Sequence, residues 1–146
     1  MEYNTIMKKW HEDINEMHAK YGVHEWVEGE RTNGDWSRLN KFLDFRLKFL
    51  QEELEETRKA AILDKNPQEI VDGLIDLCVV AIGTLDAFGV DAQKAWDEVH
   101  TANMKKERGI KESRPNPLGL PDLIKPEGWK GPDHRDNIGC LRDALQ

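Results

Sequence analysis

Apolar residues recur at helical steps along much of the chain. Ile6, Trp10, Ile14 and Met17 fall on one face of an otherwise polar stretch and predict a first helix over about 4–20. Residues 21–36 carry three glycines, an Asn-Gly pair and two tryptophans, and read as a loop. A second helix is expected over about 37–63, with Ser37 as its N-cap. Asn66-Pro67-Gln68-Glu69 combines a capping asparagine, proline at the first helical position and glutamate at the third. It opens a third helix that stops at Phe88-Gly89. Asp91 is the expected cap of a fourth helix, running to about 107 and ending before Gly109. Residues from about 108 to 146 hold five of the six prolines. They read as an irregular tail that wraps the body or a partner. The pattern predicts an all-α fold: one domain over residues 1–146, with a four-helix bundle over about 4–107 and an irregular C-terminal tail.

The stripe is interrupted in two places. Phe42, Phe45 and Phe49 step along the second helix, and the next positions at steps of three and four are Glu52 or Glu53, then Glu56, then Ala60 and Leu63. Carboxylates take over the core-facing stripe for about one turn. On the third helix, Leu74 to Ile82 is apolar nearly all round and reads as buried. Asp76 sits inside that run, with Asp72 one turn earlier. Charged side chains are almost never buried unless paired or bound to a metal.

Composition narrows the classes. The chain has 146 residues, a charged fraction of 34%, a hydrophobic fraction of 38% and a net charge of −7. That charge argues against a general nucleic-acid or anionic-membrane binder, and no apolar run approaches a membrane span. It leaves room for a phosphorylated small molecule, because bound divalent cations reverse the local sign. Met1-Glu2-Tyr3-Asn4 does not begin a secretory signal. Cys78 and Cys140 have no metal-type spacing and read as reduced thiols, so a cytoplasmic protein is expected.

Two helices offering inward carboxylates make a hard-cation site. Glu52, Glu53 and Glu56 align on one helix, and Asp72 and Asp76 on the next. An all-oxygen donor set of this density favours Mg²⁺ or Mn²⁺, which commonly accompany phosphate substrates. The glutamates taken alone also read as a solvated acidic face. Asp76 tips the balance, since its neighbours leave it no polar face. Glu69 has two readings: with Asp72 it forms a ligand pair, or it completes a capping box.

Glu-Glu-x-x-Glu followed by an Asp-rich motif on the next helix resembles the all-α nucleoside triphosphate pyrophosphohydrolases. These include MazG, the dimeric dUTPases and phosphoribosyl-ATP pyrophosphohydrolase. The stretches Glu69–Asp76, Ile82–Gly89, Val99–Lys105 and Ile124–Trp129 fit the last branch, and the resemblance covers roughly residues 40–130. It implies a MazG-like helical fold assembled as a dimer or a dimer of dimers. It also implies cleavage between the α- and β-phosphates of a nucleoside triphosphate, giving a monophosphate and pyrophosphate. By motif, Glu53, Glu56 and Asp76 match metal ligands, and Glu52 matches the carboxylate that activates water. One departure stands out: many relatives carry glutamate three residues before the Asp, where this chain has Gly73. Asp72 would then supply the missing ligand.

Within that resemblance, Asn103, Lys105, Lys125 and Trp129 are the candidate substrate contacts. Asn103 can donate and accept at a base or sugar edge, and the lysines can neutralise phosphate. His100 and both lysines have a plain structural reading as packing or solvent-exposed residues, and Trp129 could equally anchor the tail. Arg46, two turns before the glutamates, is expected to pair with them. Trp10, Trp26, Trp36 and Trp96 read as core or subunit-interface residues. His11, His18 and His24 have no metal-type spacing and stay unassigned.

The expected function is a Mg²⁺-dependent (deoxy)nucleoside triphosphate pyrophosphohydrolase, with dGTP or dCTP as first candidates. Alternatives are a non-catalytic nucleotide sensor or helical interaction module, kept open by Gly73, and a di-iron or di-manganese bundle. The bundle reading is weakened by the lack of any Glu-x-x-His pair.

Overall fold

The computed structural model describes residues 9–114, 118–119 and 122–146. Its elements are α1 (Trp10–Lys20), α2 (Val23–Thr32), α3 (Ser37–Ile62), α4 (Pro67–Ala87), α5 (Ala92–Met104), β1 (Glu107–Gly109), β2 (Asp122–Ile124) and α6 (Leu141–Ala144). The described chain is mostly helical, with one small two-stranded sheet. It forms two compact units: residues up to Ala92 with Ile138–Gln146, and Gln93–Asn137.

In the first unit, α3 and α4 lie antiparallel, and two contacts fix their register. Thr57 on α3 meets Gly73 on α4, where a Cβ would collide with the threonine hydroxyl. About three turns away, the Arg46 guanidinium donates to Thr84 Oγ1 and to the Val80 carbonyl, each at 3.0 Å. Arg46 is therefore taken up by the α4 backbone and does not pair with the glutamates. The α4 start matches its sequence: Asn66 accepts from the amides of Gln68 and Glu69, with Pro67 at the first position. The Asn66 amide itself donates to the Ala60 carbonyl. Glu69 thus sits in the cap without supplying the reciprocal half of a capping box. Gly89, at φ 75°, ends α4 as its amide bonds back to the Asp86 carbonyl.

The core gathers Val27, Leu39, Ala87, Phe88, Cys140 and Ala144. Leu39 and Phe88 are fully buried. Trp26, Phe42 and Phe88 form an aromatic file with centroids 5.2 and 5.8 Å apart. The C-terminal segment returns to this core: the Cys140 amide donates to the Phe88 carbonyl at 2.8 Å, and Asn40 donates to the Ala144 carbonyl at 2.7 Å. Both cysteines are free thiols, and burial pushes the Cys140 thiol above its ordinary range.

Several expectations change. The first helix begins at Trp10 among the described residues, and positions 1–8 lie outside them. The loop expected over 21–36 contains α2. Val23, Trp26, Val27 and Glu30 face inward at helical steps, and exposed Gly29 is tolerated on the outer side. Gly22 and Gly34, both at positive φ, bracket the helix instead of dissolving it. The start of α3 is held by Asp35, whose carboxylate accepts from the Ser37 amide at 3.0 Å, so Ser37 is not the capping side chain. The helix containing His100 stops at Met104, because Glu107–Gly109 leaves it to pair antiparallel with Asp122–Ile124. The tail is accordingly not wholly irregular. Arg114 pairs with Asp122 at 2.7 Å beside that hairpin. No single helix is long and apolar enough to cross a membrane.

Candidate metal centre and substrate groups

The inward stripe of α3 runs Leu39, Leu43, Arg46, Leu50, Glu53, Thr57 and Ala60, a seven-residue repeat of alternating threes and fours. Glu53 occupies a position that an apolar residue would normally take. Glu52 and Glu56 flank it and are exposed. On α4 the matching stripe passes through Gly73, Asp76, Val80, Gly83 and Ala87. With Thr57 on Gly73, Glu53 lies one turn back along α3 and Asp76 one turn on along antiparallel α4, so the two carboxylates fall opposite each other. Of the predicted ligands, Glu53 and Asp76 are half-buried, and Asp72 is exposed like Glu52 and Glu56.

The electrostatics agree with that placement. Desolvation, then the charges of Asp76, Glu56, Asp72 and Glu52, raise the Glu53 carboxyl above its ordinary range. All five predicted residues therefore act on one locus. Thr57 Oγ1 donates to the Glu53 carbonyl at 2.7 Å, which fixes the backbone beside it. The five carboxylates do not draw into a closed shell: among the described residues, the group whose donor atoms all lie within 4.8 Å is His18, His24 and Asp86. Like charges keep the long glutamate side chains apart, while the backbone positions bring them to one crossing. An all-oxygen set from two helices fits Mg²⁺ or Mn²⁺.

Gly73 gains a physical reason. A larger residue there would drive into Thr57, so this chain pairs a small α4 residue with a β-branched α3 residue at the helix contact. Asp72, one position earlier, lies on the exposed side of α4.

The candidate substrate groups belong to the second unit. Asn103 is half-buried near the end of α5, and Lys105 is exposed just beyond it. Trp129 donates from its indole nitrogen to the Ala102 carbonyl at 2.8 Å. Lys106 and Lys125 place their ammonium groups 5.2 and 5.1 Å from its ring centroid. Trp129 is an anchor holding residues 125–129 to α5. His100 is exposed.

Two further groups escaped the sequence reading. Trp26, Arg38, Lys41, Phe42 and Phe45 line an open groove of about 440 Å³ in the first unit. Its aromatic positions were assigned to core, and the two cations drew no notice because they sit among ordinary surface charges. The other is Asp86. It accepts from Asn15 at 2.8 Å on one oxygen and meets His18 Nδ1 at 2.8 Å and His24 Nε2 at 2.7 Å on the other. Its signal was an Asp in the apolar run Leu85-Asp86-Ala87, the same anomaly that exposed Asp76.

A family model described as phosphoribosyl-ATP pyrophosphohydrolase matches residues 29–103, just over half of the chain and a span that includes all five carboxylates. No curated protein matches the chain.

Proposed function

The chain belongs to the phosphoribosyl-ATP pyrophosphohydrolase family, within the MazG-like all-α superfamily, and from that premise we propose a specific substrate class, metal and site. Membership makes it a nucleotide pyrophosphohydrolase, a hydrolase of phosphoric anhydrides. Our reading is a Mg²⁺-dependent enzyme acting on (deoxy)nucleoside triphosphates, dGTP or dCTP first, cleaving between the α- and β-phosphates. The observation that carries it is geometric: Glu53 stands on the inward stripe of α3 opposite Asp76 on α4, with Glu52, Glu56 and Asp72 at the same crossing.

Glu53, Glu56, Asp72 and Asp76 would hold the cations. A cation held by these residues would supply charge neutralisation for the polyphosphate and the leaving pyrophosphate. Glu52 orients the attacking water and accepts its proton as the new P–O bond forms and the bridging P–O bond breaks. Water and the triphosphate become the monophosphate and pyrophosphate. Asn103, Lys105 and Lys125 are proposed substrate contacts. Trp129 is withdrawn from stacking, because its indole and ring are already engaged.

We also propose that the working form is a homodimer or dimer of dimers. The α4 run Leu74–Ile82, expected to be buried, leaves Leu74 51% and Ile75 44% exposed, with Val71 exposed one turn earlier, Leu54 and Ile62 exposed on α3 and Leu63 exposed just beyond it. An apolar run of this kind suits a second copy of the chain.

The test is incubation of the purified protein with Mg²⁺ and each standard ribo- and deoxynucleoside triphosphate, scoring pyrophosphate against phosphate, with Glu53→Ala in parallel. Glu53-dependent pyrophosphate release supports the reading and names the base. Metal-dependent nucleotide binding without release would replace it with the sensor reading.

A further inference from the structure

Asp86, near the C-terminal end of α4, draws together three side chains from α1 and α2. Asn15 holds its Oδ1, and His18 and His24 both aim a ring nitrogen at its Oδ2. The imidazoles approach from different directions, with planes inclined at 75° and centroids 5.9 Å apart. The two nitrogens and the carboxylate oxygen lie within 4.8 Å of one another.

A carboxylate can accept about four hydrogen bonds over its two oxygens, so three donors are not unusual in number. The disposition is what matters: imidazole nitrogens from two different helices converge on one oxygen. Arg46 lies close enough for its charge to act on His18, yet its guanidinium is held by Thr84 and Val80. The set has the features of a cation site. Two imidazole nitrogens and one carboxylate oxygen are a borderline donor set. The second carboxylate oxygen is fixed by a neighbour, as around bound metals. Side-chain exposures of 4% for His18 and 11% for Asp86 close the inner wall, while 35% for His24 leaves one side open to an entering ion.

We propose that His18, His24 and Asp86 form a second cation site, for Zn²⁺ or a similar transition metal, that clamps α1 and α2 to α4. It is separate in donor chemistry from the all-oxygen carboxylates and independent of the pyrophosphohydrolase reading. Tetrahedral ligands at bond lengths of about 2.0–2.1 Å stand about 3.3 Å apart, so the present spacings must open by about half an ångström. His24, on the second residue of α2, is placed to give that movement. The nearby Arg46 charge opposes any cation, so the site is expected to take a tightly ligated transition ion and to refuse Mg²⁺.

The test uses the full chain, stripped with chelator and then saturated with Mg²⁺, titrated with Co²⁺ as a spectroscopic probe. The expected result is a visible d–d band of tetrahedral Co²⁺ that Zn²⁺ displaces. His24→Gln, checked for folding by circular dichroism, should lose the band, and Glu53→Gln should keep it. In the unaltered protein, Zn²⁺ should also shift the imidazole resonances of His18 and His24, so the outcome does not hang on one variant. No band, a band that survives in His24→Gln, a band lost in Glu53→Gln, or unmoved imidazole resonances would each overturn the proposal.

Discussion

Helix α4 carries two acidic loci ten residues apart, and they handle charge in opposite ways. Asp86 is nearly buried and accepts from Asn15, His18 and His24. Burial is the largest single effect and pushes its carboxyl up, but the bonds from Asn15, His24 and His18 and the His24 charge together hold it below its ordinary range. Asp76 faces Glu53, and the glutamate is raised by desolvation and by four carboxylates of like sign. The first locus surrounds its acid with donors from the protein itself, and two of them are the imidazole nitrogens that would ligate a transition ion. The second is a concentration of charge that helix packing assembles and leaves for an outside cation. The neighbours of an acid therefore decide which cation it suits: nitrogen donors at Asp86, further carboxylates at Asp76.

The sharpest way to break this contrast is to remove one acid from each locus. Glu53→Ala should lower pyrophosphate release by about 100-fold or more, measured at saturating Mg²⁺, since the acid set is invoked at the reaction centre. Its unfolding midpoint in urea without Mg²⁺ should stay level or rise, because like-charge repulsion is relieved. A clear loss of stability would mean that Glu53 is a structural residue. Asp86→Ala should invert the pattern and cost about 3 kcal/mol in urea unfolding, by stranding its donors. Unchanged stability would show that the triad is not a tie between helices.

A second pair of changes tests the contact that sets the carboxylates opposite each other. Gly73→Ala should cost about 1–3 kcal/mol through collision with Thr57, and most of that should return in the Thr57→Ala background. Additive losses in the double-mutant cycle would sink the account of Gly73. The smallest effect belongs to Asp35. Its carboxyl lies below the ordinary range because the Ser37 backbone and side chain donate to it. A depressed folded-state value means stability that is present above the unfolded carboxylate range and is lost as pH falls through the folded value. Asp35→Ala should lower Tm slightly at neutral pH and not at strongly acid pH, as scanning calorimetry at the two pH values would show.

Much of the carboxylate locus was legible because charge broke a period. Glu53 and Asp76 stand where α3 and α4 need apolar residues, and a single helix pattern suffices to see it. In the His18–His24–Asp86 triad only Asp86 broke a period in this way, and the two histidines had no such signature. Five residues, the Gly22 turn among them, lie between the histidines, so their meeting depends on how α1 and α2 dock on α4. The helix α2 was hidden because glycine is a poor helix former and tertiary packing of Val23, Trp26 and Val27 overrode it. Arg46 was misread for a related reason: its spacing to the glutamates counts along one helix, whereas its partners Val80 and Thr84 lie on another. Burial of Leu74 and Ile75 was read from composition, and a helix composition says how much apolar surface seeks cover, not which chain provides it. The short strands Glu107–Gly109 and Asp122–Ile124 are too brief to show a period of two.

The return of Cys140 and Ala144 to the core beneath Phe88 sets the timing of folding. Leu39 and Phe88 are made well before the segment that covers them. The nascent chain must carry an open apolar face until residues 138–146 emerge, and that face is where a chaperone would bind. A chain cut short before this segment would bare that surface permanently.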